Sequence, residues 1–497
     1  MRIERLAEII LSSLVASIIG LFICTGFHLR ILTLTLLTII LFLIYIMKYK
    51  MDIALPSATA RNILTVLIWG TILFTISLRT ALIHIILPYS AYIIVLMMLF
   101  LLSVVIAILL LSPQDIQVLR LHGSGIFLAV FSSYFLFVLF AMLNSIVAGT
   151  GYRKFGRIFG VFFLLVILLS LTWAYKSRKV GPEKALKYIL RPYVYLSLYI
   201  SITGILIWFL LTFGLIRASN WLFTLTEATK GIRLRESLYA FPFMLNLAEV
   251  NPGSTFFGYP LFRMCGFFEE PHQAGLFIMP CLFIIQYLYS DLSKKRQIYS
   301  FLIGSFLVLT FSPTVLSILY FCISLYFIRR FGIISIIPLV IGFFIFEKVF
   351  YMLQLYAPTY VEVRMSSYEK LLYSLRSVSL DTANFFGSGK LRPGGQVMVN
   401  ILSSFGLGGF ILLYFHYIIV FTLCLFFFFS KRKFSIMGLG PITVILHAHK
   451  GFHFDNPFYF YILYVTAAFL ALTTVRRYKH GQVGNEFLQQ GIEKQLQ

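Results

Sequence analysis

Charge is what this sequence has least of. Charged residues fill 12% of its 497 positions, about half the roughly 25% of a soluble domain. Hydrophobic residues fill 60%, and the mean hydropathy is +0.91. Such a chain cannot face water without large exposed apolar patches, so lipid is the solvent for most of it. Cysteine is sparse as well. Cys24, Cys281, Cys322 and Cys424 lie in apolar runs and Cys265 stands alone in a polar loop. That excludes a disulfide framework, and no CxxC metal spacing exists. No Walker A pattern is present, so nothing supports nucleotide binding. The strict apolar–polar alternation of a membrane barrel is missing too. The N-terminus lacks a small-residue cleavage site after its first apolar run and reads as a retained helix.

What is present is a series of long apolar runs. Helices are predicted over 6–25, 30–47, 62–78, 88–111, 126–148, 158–174, 193–216, 273–290, 298–311, 314–328, 332–350, 398–429, 435–449 and 457–475. This is an all-α, polytopic transmembrane helical bundle of about 14 helices, forming one membrane domain over 1–475 with a polar tail at 476–497. The net charge of +23 would suggest nucleic acid on a soluble protein, but here it sits in short clusters between apolar runs. Lys48 and Lys50, Lys176 to Arg191, Lys294 to Arg296, Arg329 and Arg330, Lys431 to Lys433, and Arg476 to Lys479 all fall on one side of the predicted bundle. Cytoplasmic loops carry such an excess, so both termini are placed in the cytoplasm. The cluster Arg153, Lys154 and Arg157 is the exception. Nucleic acid is not expected as a partner.

Two long segments, 217–272 and 351–397, fall on the outer side. They are rich in aromatic residues, are expected to lie in the interface, and are expected to contain short helices. The first ends in Arg263-Met-Cys-Gly-Phe-Phe-Glu-Glu-Pro-His-Gln-Ala-Gly275. Pro271 marks a helix N-terminus, where free amides together with Arg263 suit an anion. Glu270 or Glu269 offers a general base and His272 a second titratable group. The plainer reading is a helix entry whose acids complement the dipole. Ionisable groups beside lipid are expensive unless used, which favours the functional one.

The second segment carries Arg364, Lys370, Arg376, Lys390 and Arg392 against Glu362, Glu369 and Asp381, with glycines at 387, 389, 394 and 395. Guanidinium groups hold phosphate oxygens in pairs, and glycines let backbone amides approach an anion. A solvated loop with turn glycines is the alternative. A third group, His447-Ala-His449-Lys450-Gly-Phe-His453-Phe-Asp455, has no standard zinc spacing. It is read as the lining of a polar outer cavity rather than as a metal site.

Taken together, Arg263 followed by Gly-Phe-Phe-Glu-Glu-Pro, the glycine-rich second segment, and the helix entry Gly406-Leu-Gly-Gly409 resemble the O-antigen polymerase and ligase superfamily. The match is nearest to Wzy-type polymerases, which have an Arg, ten residues, then Gly pattern in each of two periplasmic loops. Arg376 to Gly387 fits that spacing; Arg263 to Gly275 has one residue more. The resemblance spans about 250–460. It implies glycosyl transfer between undecaprenyl-pyrophosphate-linked glycans at the outer face of a bacterial inner membrane. A chain-length regulator protein is expected as a further partner, and no cofactor is expected. For the acceptor proton that this transfer implies, Glu270, Glu269 and His453 are the candidate bases. The resemblance gives Arg263 and Arg376 the departing pyrophosphate; Arg364, Arg392, His272, His449 and Asp455 are expected to line the substrate site with them. Ligase and flippase activities are the alternatives.

If Arg376 holds the donor pyrophosphate, Arg376→Lys should lower activity about ten- to a hundredfold, because a lysine cannot make the paired fork contact. Glycan chain length measured beside membrane protein level checks this. Normal chains from Arg376→Lys at normal level would reduce the residue to a solvated charge.

Overall fold

The computed structural model describes residues 69–70, 72–73, 124–147, 165–174, 176–177, 180–216, 238–241, 244–256, 259–289, 293–332, 385–387, 397–430, 435–447, 458–470 and 472. Helices α1 (Ser124–Val147), α2 (Leu165–Ala174) and α3 (Pro182–Thr212) come first. Strands β1 (Leu238–Phe241), β2 (Asn246–Phe256) and β3 (Tyr259–Gly266) follow, then α4 (Pro271–Leu288), α5 (Lys294–Leu309) and α6 (Pro313–Phe331). The last three are α7 (Val397–Phe429), α8 (Leu439–His447, entered through a 3-10 turn) and α9 (Phe458–Leu470). Among the described residues five helices are long and apolar enough to cross a membrane. The chain is a mostly helical membrane protein, and several of the expected helices lie outside the described residues.

Proline opens α3, α4 and α6, at the first turn, where a missing N–H leaves no bond unmade. α3 begins at Pro182 rather than near 193, so Lys184, Lys187 and Arg191 ride on its opening turns. Lys187 pairs with Glu183 one turn back at 3.3 Å. Two further prolines lie inside helices, Pro192 in α3 and Pro280 in α4. An internal proline lacks the N–H for the carbonyl four residues back, and its ring disturbs that turn. The carbonyls so deprived are those of Tyr188 and Leu276. At both turns the next carbonyl along receives a tyrosine hydroxyl. Tyr461 donates its hydroxyl to the carbonyl of Ile189, three residues before Pro192, at 3.0 Å. Tyr193 donates to the carbonyl of Phe277, three residues before Pro280.

Two ends of the helical body can be told apart. At one, Tyr287 near the end of α4 donates to Glu183 O at the start of α3 (3.4 Å), and Lys187 lies over the Tyr287 ring. α5 starts at this end with Lys294, Lys295 and Arg296, and α6 finishes there with Arg329 and Arg330. The strands sit at the other end. They form an antiparallel sheet in the order β1-β2-β3, not the short helices expected of the first long segment. Successive strand residues point to opposite faces, yet Leu247, Ala248, Met264 and Cys265 are all fully buried. The sheet is therefore covered on both faces. Asn246 rivets it to α3, its Nδ2 lying 3.0 Å from Ile200 O and 2.9 Å from Thr203 Oγ1. Gly204 leaves the room for this: a Cβ there would come within 2.9 Å of Asn246 Oδ1 and 2.4 Å of the Phe306 ring. Phe262, Phe267 and Phe268 are also buried, and the last two pack on Phe277 of α4 instead of lying in the interface.

The described part of the second long segment, 385–387, is fastened to α1 and α7. Phe386 stacks on Phe140 of α1 with centroids 5.8 Å apart. α7 is broken at Gly406, which has φ 64°. Asn144 of α1 donates through Nδ2 to Phe386 O and, at 3.3 Å, to Ser404 O just before the break. Gly387 (φ 70°) lies against that break, where an added Cβ would be 2.4 Å from the Gly406 nitrogen. Gly387→Ala should therefore cost more than the roughly 1–2 kcal/mol of left-handed backbone alone. Gly214→Ala, at φ 66° with open space around it, should cost only that amount. Thermal unfolding of the two purified variants checks this; equal shifts in Tm would contradict the close approach at Gly406.

Candidate functional site

The constellation around Arg263 is assembled by the hairpin register and the head of α4. Arg263 on β3 faces Glu249 on β2 as its cross-strand partner. The guanidinium Nη1 meets Glu249 Oε2 at 3.1 Å, with the two side chains only 13% and 7% exposed. Its Nε also donates to Thr310 O at the α5–α6 turn, at 3.4 Å. A buried charge without a partner is costly, so each of these two side chains requires the other. Arg263 is thereby committed to holding the sheet onto the end of α5. Glu249 and Thr310 are the partners that sequence reasoning missed.

Glu270 and His272 form a second pair. Gly266 (φ 58°) turns the chain out of β3, and Phe267 to Glu270 lead to Pro271 at the first turn of α4. Glu270 is the residue that caps α4, where a carboxylate complements the positive end of the dipole. His272 donates from Nδ1 to Glu270 Oε2 at 2.9 Å. The other ring nitrogen, Nε2, is buried with no hydrogen-bond partner among the described residues. Glu270 is 35% exposed and His272 10%, so the carboxylate is the member of the pair open to a substrate. Glu269 stands beside it, partly buried.

Cys265 lies between the two pairs. Its burial, with the Glu249 carboxylate close by, pushes the thiol well above its ordinary value. A thiol that stays protonated is not a nucleophile. The structure thus brings Arg263, Glu269, Glu270 and His272 together at one end of the body. Arg364, Arg376, Arg392, His449, His453 and Asp455 lie outside the described residues. No group of three metal-ligating side chains occurs among the described residues.

A further polar group, not foreseen, lies deep among the helices. His416 of α7 bonds Ser133 of α1 through Nδ1 (2.9 Å) and Tyr459 of α9 through Nε2 (2.7 Å). Ser133 donates to Val130 O at 3.0 Å, so it accepts from His416 Nδ1–H, and Tyr459 donates to Nε2. Every donor in this chain has an acceptor, the condition for burying polar groups without penalty. The signal in the sequence was a single histidine within an apolar run of thirty-odd residues.

The structural role of Arg263 makes a direct expectation. Arg263→Met alone should destabilise the protein by about 3–5 kcal/mol, because it strands Glu249. Adding Glu249→Leu should recover much of the loss. Thermal unfolding in detergent measures both. An unchanged Tm for Arg263→Met would release the guanidinium for phosphate binding instead. No protein-family model, curated protein or solved structure matches this chain.

Proposed function

We propose that the protein is a glycosyltransferase that polymerises undecaprenyl-pyrophosphate-linked repeat units at the periplasmic face of a bacterial inner membrane. The observation that carries this reading is the Glu270–His272 pair. It is a braced, part-exposed carboxylate at the head of a membrane helix. It stands at the end of the body opposite Lys294 to Arg296 and Arg329 to Arg330. Basic clusters favour the cytoplasm, which would put the pair on the outer side. The sequence resemblance to Wzy-type polymerases supplies the substrate class.

In the proposed reaction the acceptor sugar hydroxyl attacks the anomeric carbon of the donor glycan. The new glycosidic bond forms as the bond to lipid pyrophosphate breaks. The hydroxyl proton passes to Glu270, with His272 Nδ1–H holding the carboxylate's other oxygen. The departing pyrophosphate needs positive charge where negative charge develops. With Arg263 tied to Glu249, that role falls to Arg376 and its neighbours in the second long segment. Pyrophosphate is a good leaving group, so the step does not in principle require a metal.

Deleting the gene in its host and displaying the lipopolysaccharide as a ladder tests the reading. Loss of a polymerase leaves core plus one repeat; loss of a ligase leaves no attached repeat; an unaltered ladder contradicts both. Within the polymerase reading, Glu270→Gln should reduce chain growth about 10²- to 10⁴-fold, the usual contribution of a positioned base. The amount of protein in the membrane should not change. Full-length chains from Glu270→Gln would remove this residue from the chemistry.

A further inference from the structure

The described helices fall into two sets. The sheet is fastened to α3 and to the end of α5 through Asn246, Trp208 and Arg263, and α4 follows it directly in the chain. Residues 385–387 are fastened to α1 and α7 through Asn144 and Phe140. At the basic end Arg329 of α6 lies over Phe428 of α7. Deeper in, α8 and α9 stand between the sets. Over their described residues α8 runs about 13 Å and α9 about 20 Å, at 1.5 Å per residue.

The first turn of α9 reaches both sets. Phe458 packs on Phe277 of α4 at 4.6 Å, and Tyr461 bonds Ile189 O beside the Pro192 turn of α3. In the same turn Tyr459 bonds His416 of α7, which in turn holds Ser133 of α1. Both tyrosines are at most 1% exposed. Consecutive odd-numbered positions of one helix turn therefore carry a hydroxyl to each side.

We infer that the first turn of α9 is a hydroxyl-bonded joint that, beside the packing of Phe469 on Tyr287 of α4 and Phe427 of α7, holds the sheet and the 385–387 segment in one relative position, with Tyr459 and Tyr461 as positioning residues that tie the two helix sets together. Each tie is a hydroxyl bond in hydrocarbon. Its loss changes the preference for the aligned arrangement about three- to twentyfold, by the measured range for such contacts. Tyr→Phe keeps the ring and its packing, so only the tie is removed. In the polymerase reading, on which this one consequence rests, misalignment separates Glu270 from the second long segment and shortens the glycan.

The test places spin labels at the ends of the two sets, at Val147 (87% exposed, the end of α1) and Leu215 (67% exposed, just after α3). The background is a full-length, cysteine-free chain in lipid nanodiscs. A single narrow distance distribution is expected for the parent. The Tyr459→Phe, Tyr461→Phe double variant should give a broadened or displaced one. The two ties act in series, so either single variant also cuts the hydroxyl link between the sets, and the same measurement on the single variants remains if the double variant fails to accumulate. Distributions matching the parent in all three variants overturn the joint. Distance and chain length are read separately: a protein that extends no glycan sinks the polymerase reading and leaves the distance result standing.

Discussion

A backbone carbonyl that loses its helical partner inside hydrocarbon has no water to turn to. Three of the polar contacts between helices among the described residues sit where a helix turn is disturbed. Pro192 and Pro280 each disturb a turn of a membrane helix, and in both cases a tyrosine from a neighbouring helix donates to the carbonyl three residues earlier, one along from the carbonyl that the proline deprives. The break at Gly406 is handled the same way with an amide, as Asn144 reaches Ser404 O. Each repair joins two helices, so the irregular turns are also the places where the bundle is pinned. α9 is pinned to α3, α3 to α4, and α1 to α7.

The same economy of polar groups shapes the candidate site. The first long segment buries both faces of its sheet, so Arg263 and Glu249 must neutralise one another across the strands. At the head of α4, by contrast, a titratable pair remains partly open. Glu270 is held by His272 and supported by the helix dipole, while the neighbouring Cys265 is kept protonated by burial beside Glu249. The arrangement separates a group that builds the end of the body from a group that can exchange a proton there.

The helices were legible because apolar runs of their length have few other solutions, and α1 and α7 begin and end within two residues of expectation. The sheet was not. Strands buried on both faces lose the alternation that marks a strand, and Pro252, Gly253 and Pro260 give the stretch the look of a loop. Arg263, Glu270 and His272 were singled out from local spacing, but the role of Arg263 depends on Glu249, 14 residues away across a hairpin. His416 pairs with Ser133, 283 residues distant, and no local pattern encodes that contact. The bonds that cap the proline turns were invisible for the same reason: a tyrosine in an apolar run looks like packing until its neighbour's broken turn is seen.

The central claim is that the outer end of this body joins one lipid-linked glycan to another. The direct measurement uses the purified full-length protein in liposomes holding only undecaprenyl-pyrophosphate-linked repeat units, with products separated by size. The expected result is a ladder of glycans longer than one repeat, formed by the parent protein and not by Glu270→Gln. Repeat units that remain single with the parent protein, at conditions where it stays folded, would contradict the account.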